Sequence, residues 1–223
     1  VAALAINDCY HFAALWPETE ALADNALAGI ACVNYAAVVA PHGGSEPIFG
    51  TNPLAFAWPR PGADPVVADM ATAAMAQGEI QLAAQAGHPV PEGTGVDADG
   101  AATTDPAAIL AGTQLPFGGH KGSAIALLVE LLAAAATGDA FSYEVAGDSA
   151  DGGPTRGGEF IIALDPAVLA GAGSGARSEA FFRRFEAIPG ARLPGARRHG
   201  RRREAGPRAV DSALLARIRS LAA

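Results

Sequence analysis

Cations are scarce in the first 150 residues of this 223-residue chain: Arg60 and Lys121 stand against sixteen acids, and Lys121 is the sole lysine. Thirteen arginines follow, so an acidic body of −14 meets a basic end of +6. A basic end can bind nucleic acid, but this one lacks interleaved aromatics and the whole chain has a pI near 5.0. A nucleic-acid partner is not expected. Cysteine is scarce too. Cys9 and Cys32 are too few and too scattered for a disulfide framework or a zinc site, so buried thiols, a reducing compartment and no metal are expected.

Long apolar runs are also missing. The longest, residues 124–136, is interrupted by Glu130 and falls short of the ~20 residues that cross a bilayer, so no membrane partner is expected. The opening stretch, Val1 to Ile6, has no charged segment before it and no small-residue cleavage pattern after it, unlike a signal peptide. It reads as a strand buried on both faces, and a segment preceding it is expected.

What is present begins with Phe117-Gly118-Gly119-His120-Lys121-Gly122-Ser123, which runs straight into an apolar helical stretch. Glycines let the backbone approach a ligand closely, and the first amides of a helix favour an anion. Lys121 adds a full positive charge. The plainer reading is a glycine-rich turn feeding a buried helix. In the basic end, Arg192, Arg197, Arg198, Arg201, Arg202 and Arg203 form a cluster whose guanidinium forks suit a phosphate monoester, although a solvated charged surface gives the same pattern.

Strands and helices alternate along the chain. Strands are expected at 2–8, 30–34, 54–58, 66–69 and 160–164. Helices are expected at 11–28, with a break at Pro17 and a stop at Gly29, and at 71–86, 106–110, 179–187 and 210–222, with a short one opened by Asp165-Pro166. Residues 40–53 read as an ordered loop and 87–104 as a long one. Hydrophobic residues make up 50% of the chain, enough for a real core. One string, Gly171-Ala-Gly173-Ser-Gly-Ala176, fits the dinucleotide fingerprint by letter, but it follows a helix instead of a strand and is set aside.

Five strings taken together resemble a known family: His11-Phe-Ala-Ala-Leu-Trp-Pro17, Gly50-Thr-Asn-Pro53, Asp69-Met-Ala-Thr-Ala73, the 117–123 cradle, and Arg192-Leu-Pro-Gly-Ala-Arg-Arg198. They look like strings that occur in that order in the malate/L-lactate dehydrogenase-like oxidoreductases. Within that family the first string and the loop 96–106 look most like the Δ1-piperideine-2-carboxylate/Δ1-pyrroline-2-carboxylate reductases. The resemblance implies an α/β fold with a mixed, largely antiparallel non-Rossmann sheet surrounded by helices, as in sulfolactate and malate dehydrogenases. It implies an NADPH-binding region over 1–190, with a basic turn and helix at 191–223 packing back on it, and a homodimer.

The reaction it implies is hydride transfer from NADPH to a cyclic imine acid, giving L-pipecolate or L-proline. By position, His11, Phe12, Ala13, Ala14 and Leu15 correspond to cofactor contacts, as do Asp69, Met70 and Ala71, His120 with Lys121, and Arg192, Leu193, Pro194, Gly195, Ala196, Arg197 and Arg198. Thr51, Thr72 and Ala73 correspond to substrate contacts. Glu79 stands where relatives place an acid that orients a catalytic histidine. A solvated helical glutamate is the plainer reading, and for Thr72 a helix cap. His42 and His88 read as loop surface. Relatives carry the proton-donating histidine, an adjacent serine and a basic substrate-binding residue in a leading segment without a counterpart here, so little turnover is expected of these 223 residues alone. Two other readings stay open: a dehydrogenase of 2-hydroxy acids such as malate, lactate or ureidoglycolate, and a non-catalytic binding module.

Overall fold

The computed structural model describes residues 1–10, 14–145, 156–204, 206, 207 and 209–221. Its centre is a five-stranded sheet in the order β1-β8-β2-β3-β4, formed by β1 (Ala2–Tyr10), β2 (Ala28–Val33), β3 (Leu54–Trp58), β4 (Val66–Met70) and β8 (Arg156–Leu164). Every pairing in it is antiparallel. A second, small antiparallel sheet joins β6 (Ala102–Thr103), β5 (Gly95–Val96) and β7 (Thr113–Gln114). This is the expected architecture.

Period-two alternation in β3 and β2 divides the central sheet into two faces. Ala31, Val33 and Ala55 pack with Leu15, and Ala57 and Val67 with Ala23 of α1 (Trp16–Asp24). On the other face Cys32, Leu54 and Phe160 pack on Val129 of α4 (His120–Glu130) and on Leu132 and Ala133 of the π-helical turn Leu131–Ala135. Small residues in the strands let these helices come close. Gly29 is one such point, where a Cβ would sit 2.9 Å from Leu22 of α1.

Several sequence expectations need correction. β1 is not buried on both faces: it is an edge strand, mostly exposed, because it pairs with β8 alone. The first helix does not break at Pro17: α1 starts at Trp16, with Pro17 in the first turn, where its fixed φ and missing N–H cost least, and residues 11–13 of the expected helix lie outside the described residues. The helix expected from 71 is α2 (Gln77–Ala86), since residues 72 and 74 spend their N–H groups on Thr51 and Leu115 carbonyls. β5 and β6 interrupt the expected 87–104 loop. α3 (Pro106–Ala111) and α5 (Pro166–Ala170) follow the aspartate caps Asp105 and Asp165, and α6 (Ser174–Glu186) begins five residues before its expected start. An unforeseen helix, α7 (Ala196–Arg203), continues the arginine turn. Of the expected back-packing end, the turn and α7 bury Leu193 and His199, whereas α8 (Ser212–Leu221) buries no residue.

The cysteines also differ from each other. Cys32 is buried in the sheet, and burial, with the charge of Glu159, pushes its thiol up to about 12. Cys9 on the edge strand is only half-buried; burial raises its pKa first, then the carboxylates of Glu159, Asp139 and Glu18. A thiol reagent at pH 8 therefore modifies Cys9 first and Cys32 only after denaturant is added. Equal rates in the native protein, followed by mass spectrometry, would contradict this burial order.

Candidate active site

Three of the singled-out segments meet at the end of β4. Asp69 and Met70 there, with Arg192, Leu193, Pro194, Gly195, Arg197 and Arg198, line an open cleft of about 400 Å³. Local packing fixes the turn. The Val67 N–H donates to the Pro194 carbonyl at 3.2 Å, and Leu193 is buried with Val66 and Phe182. Gly195 sits at φ +85°, and a Cβ there would lie 2.9 Å from the Val67 carbonyl oxygen, so only glycine fits comfortably. His199 Nε2 lies 3.1 Å from the Pro65 carbonyl oxygen; a carbonyl only accepts, so Nε2 carries the proton.

Trp16 ties the segments together. Its backbone N–H donates to Asp69 Oδ2 at 3.0 Å, and Leu15 before it is fully buried. The guanidinium carbons of Arg198 and Arg202 each lie 4.5 Å from its ring centroid. Both arginines are held by Glu20, one turn along α1, with Arg198 Nη2 donating to Oε2 at 2.6 Å and Arg202 Nη1 donating to Oε1. Burial works against the charge of Glu20, but the hydrogen bonds from Arg202 and Arg198 outweigh it and hold the carboxyl below its usual range. His11, Phe12 and Ala13 lie outside the described residues.

The glycine cradle borders a second cleft. Gly118 and Gly119 adopt φ +57° and +61°, and α4 begins at once with His120. A Cβ on Gly122 would stand 1.9 Å from the Phe117 carbonyl oxygen, so the cradle closes only around glycine. His120 and Lys121 are exposed at its rim. The cradle borders a cleft of about 540 Å³ that also takes in His42, Glu92 and Leu115.

Thr51, Thr72 and Ala73 are brought to the cradle's base. The Thr51 carbonyl accepts from the Thr72 N–H at 2.8 Å and from its hydroxyl at 3.0 Å, the Phe117 N–H donates to the Thr72 carbonyl at 2.9 Å, and Ala73 bridges Pro116. Thr72 is therefore not a helix cap. Its donors are already used, whereas the Thr51 hydroxyl makes no hydrogen bond among the described residues.

His42 is exposed in the 40–53 loop, as expected, and borders the cradle: a Cβ on Gly119 would approach its ring at 3.3 Å, its ring centroid is 6.0 Å from that of His120, and its backbone N–H donates to Ser123 Oγ. Glu79 is exposed on the first turn of α2, and its carboxylate makes no hydrogen bond or ion pair among the described residues.

The donor set suits an anionic dinucleotide. Arg192 and Arg197 make no ion pair among the described residues, and the Nε of Arg198 is buried without a hydrogen-bond partner while its residue lines the cleft. Guanidinium groups that line a cleft without a carboxylate partner suit a phosphate monoester, which accepts their paired N–H donors. The cradle supplies a second approach with no side chain in the way.

Comparison with known proteins agrees. The malate/L-lactate dehydrogenase family model matches residues 1–219, and the chain belongs to that family of oxidoreductases, whose reaction class requires a nicotinamide cofactor. It is 51% identical over 196 residues to the Δ1-pyrroline-2-carboxylate reductase of Pseudomonas fluorescens, covering 86% of this chain and 58% of that protein. The Δ1-pyrroline-2-carboxylate/Δ1-piperideine-2-carboxylate reductase of Pseudomonas putida is 49% identical over 195 residues, again with 86% of this chain and 57% of that protein covered. Among solved structures, the Δ1-piperideine-2-carboxylate reductase of Pseudomonas syringae pv. tomato superposes with a TM-score of 0.91 at 45% identity, over 99% of this chain and 68% of that one. Sulfolactate dehydrogenase of Methanocaldococcus jannaschii follows with a TM-score of 0.80 at 32% identity, over 95% and 63%. The chain thus spans under three fifths of the length of these two curated relatives.

Proposed function

We propose that this chain forms the nucleotide-binding part of an NADPH-dependent reductase of cyclic imine acids, Δ1-pyrroline-2-carboxylate and Δ1-piperideine-2-carboxylate, yielding L-proline and L-pipecolate. The observation that carries the reading is the meeting at Trp16 of the segments around Leu15, Asp69 and Arg198, which makes a cleft with uncommitted guanidinium groups. Bound there, the nicotinamide supplies the hydride. Arg192, Arg197 and Arg198 would hold the 2′-phosphate, and the cradle amides with Lys121 the bridging phosphates. The Thr51 hydroxyl and the Thr72-Ala73 backbone seat the substrate carboxylate.

An imine nitrogen must gain a proton as C2 gains hydride, and loss of a positioned acid costs about 10²- to 10⁴-fold in rate. Glu79 orients the acid in this reading and does not itself deliver the proton. The working protein is a homodimer in the cytoplasm, which size-exclusion chromatography and cell fractionation check.

Calorimetry with NADPH and NADH, followed by NADPH oxidation assays with both imines, pyruvate and oxaloacetate, tests the reading. Tighter binding of NADPH, and turnover on the imines that rises about 10²-fold or more when the histidine-bearing segment of a relative is joined to the chain, is expected. Binding of neither nucleotide, or reduction of the keto acids with none of the imines, overturns it.

A further inference from the structure

The arginines of the basic end carry two different loads. Arg192 and Arg197 are uncommitted, while Arg198 and Arg202 clasp the buried carboxylate of Glu20 and lie against Trp16. Glu20 does not line the cleft. It sits on α1, and α1 is tied through the Trp16 N–H to Asp69, which lines that cleft together with the arginine turn. One carboxylate thus connects α1, tied to Asp69 of β4, with α7, which continues the arginine turn.

We infer that Glu20 is the positioning residue of the phosphate-binding turn, anchoring Arg198 and Arg202 on Trp16 so that Arg198 Nη1, Arg197 and Arg192 are held ready for a phosphate monoester. This rests on the reading of the cleft as a nucleotide site. Three observations support it. Glu20 is almost fully buried, and a charge so placed is retained only where its partners are well aligned. The arginines of α7 repel one another, and Glu20, with the Arg203–Asp64 pair, offsets part of that charge. Arg198 has its Nη2 spent on Glu20, while its Nη1 makes no hydrogen bond among the described residues and is not buried, so one end of the guanidinium is anchored and the other is available.

The test uses the full chain carrying Trp58→Phe, so that Trp16 is the remaining tryptophan, compared with the same chain bearing Glu20→Gln. Glutamine keeps the volume and drops the charge. Without any nucleotide, Glu20→Gln shifts Trp16 emission to longer wavelength and raises its quenching by acrylamide, because the two guanidinium groups leave the ring. With nucleotide, NADPH binding weakens about tenfold or more, the scale of a lost charge-assisted hydrogen bond, whereas NADH binding changes by less than about threefold. Arg202→Gln, half exposed and outside the cleft, gives the same direction more weakly and guards against a folding defect in Glu20→Gln.

Unchanged emission, or equal loss of NADPH and NADH binding, overturns the role of Glu20 and leaves only a structural ion cluster. Unmodified chain that binds neither nucleotide instead overturns the nucleotide reading itself, and the two failures are told apart by the unmodified chain alone.

Discussion

Glu130→Ala lowers the stability of the fold by about 3–6 kcal/mol and its thermal midpoint by on the order of 10 °C. Glu130 ends α4, the helix that the cradle opens, and its buried carboxylate accepts from Asn52 Nδ2 at 2.7 Å, from the Ser142 N–H at 3.0 Å and from the Ser142 hydroxyl. Asn52 and Ser142 are themselves fully buried. Removing the carboxylate leaves the Ser142 N–H and one Asn52 Nδ2 hydrogen without acceptors, each costing about 1–3 kcal/mol, and opens a void, while the Ser142 hydroxyl keeps Asn52 Oδ1 at 3.4 Å. Glu130→Gln keeps one oxygen and costs less. Urea denaturation of both variants checks the pair, and a loss under about 1 kcal/mol in Glu130→Ala would show that water reaches this network. The network matters to the site because Asn52, at φ +41°, follows Thr51, whose carbonyl holds Thr72.

Replacing both Arg192 and Arg197 with glutamine weakens NADPH binding by about 10²-fold or more and leaves NADH binding within about threefold of the parent. These two side chains line the cleft without a carboxylate partner among the described residues, so their charge is available to a ligand. The dinucleotides differ only by a phosphate monoester, which planar guanidinium groups recognise through paired N–H donors. Each single substitution gives part of the effect, and raising the salt concentration narrows the difference between the two nucleotides. Parallel calorimetric titrations check this. Equal weakening of NADH would move the arginines to a contact that both cofactors share.

Much of the site was legible because it is written in contiguous strings. Gly118-Gly119-His120-Lys121 needs no distant partner to be read: positive φ calls for glycine, and the apolar run after it calls for a helix. The same holds for β3 and β4, whose bounds follow from short apolar runs between turn formers. α7 was not legible, since five arginines in eight residues read equally as a solvated charged run; Glu20, 178 and 182 positions from Arg198 and Arg202, and Asp64 offset part of that charge. Nor was the start of α2, where Thr72 and Ala74 gave their N–H groups to other segments and left helix formation to Gln77.

By itself, the sequence determined the local choices: which runs form strands, where glycine and proline admit or stop a helix, and which residues resemble a nicotinamide site. Those depend on backbone sterics and side-chain spacing, which act over a few residues. Only the tertiary structure decided which charges are spent. Arg198 and Arg202 are anchored, Arg192 and Arg197 are not, and nothing in the string 192–203 distinguishes them. An ion pair is set by distance in space, and here that distance closes only when α1, β4 and the arginine turn pack together around Trp16.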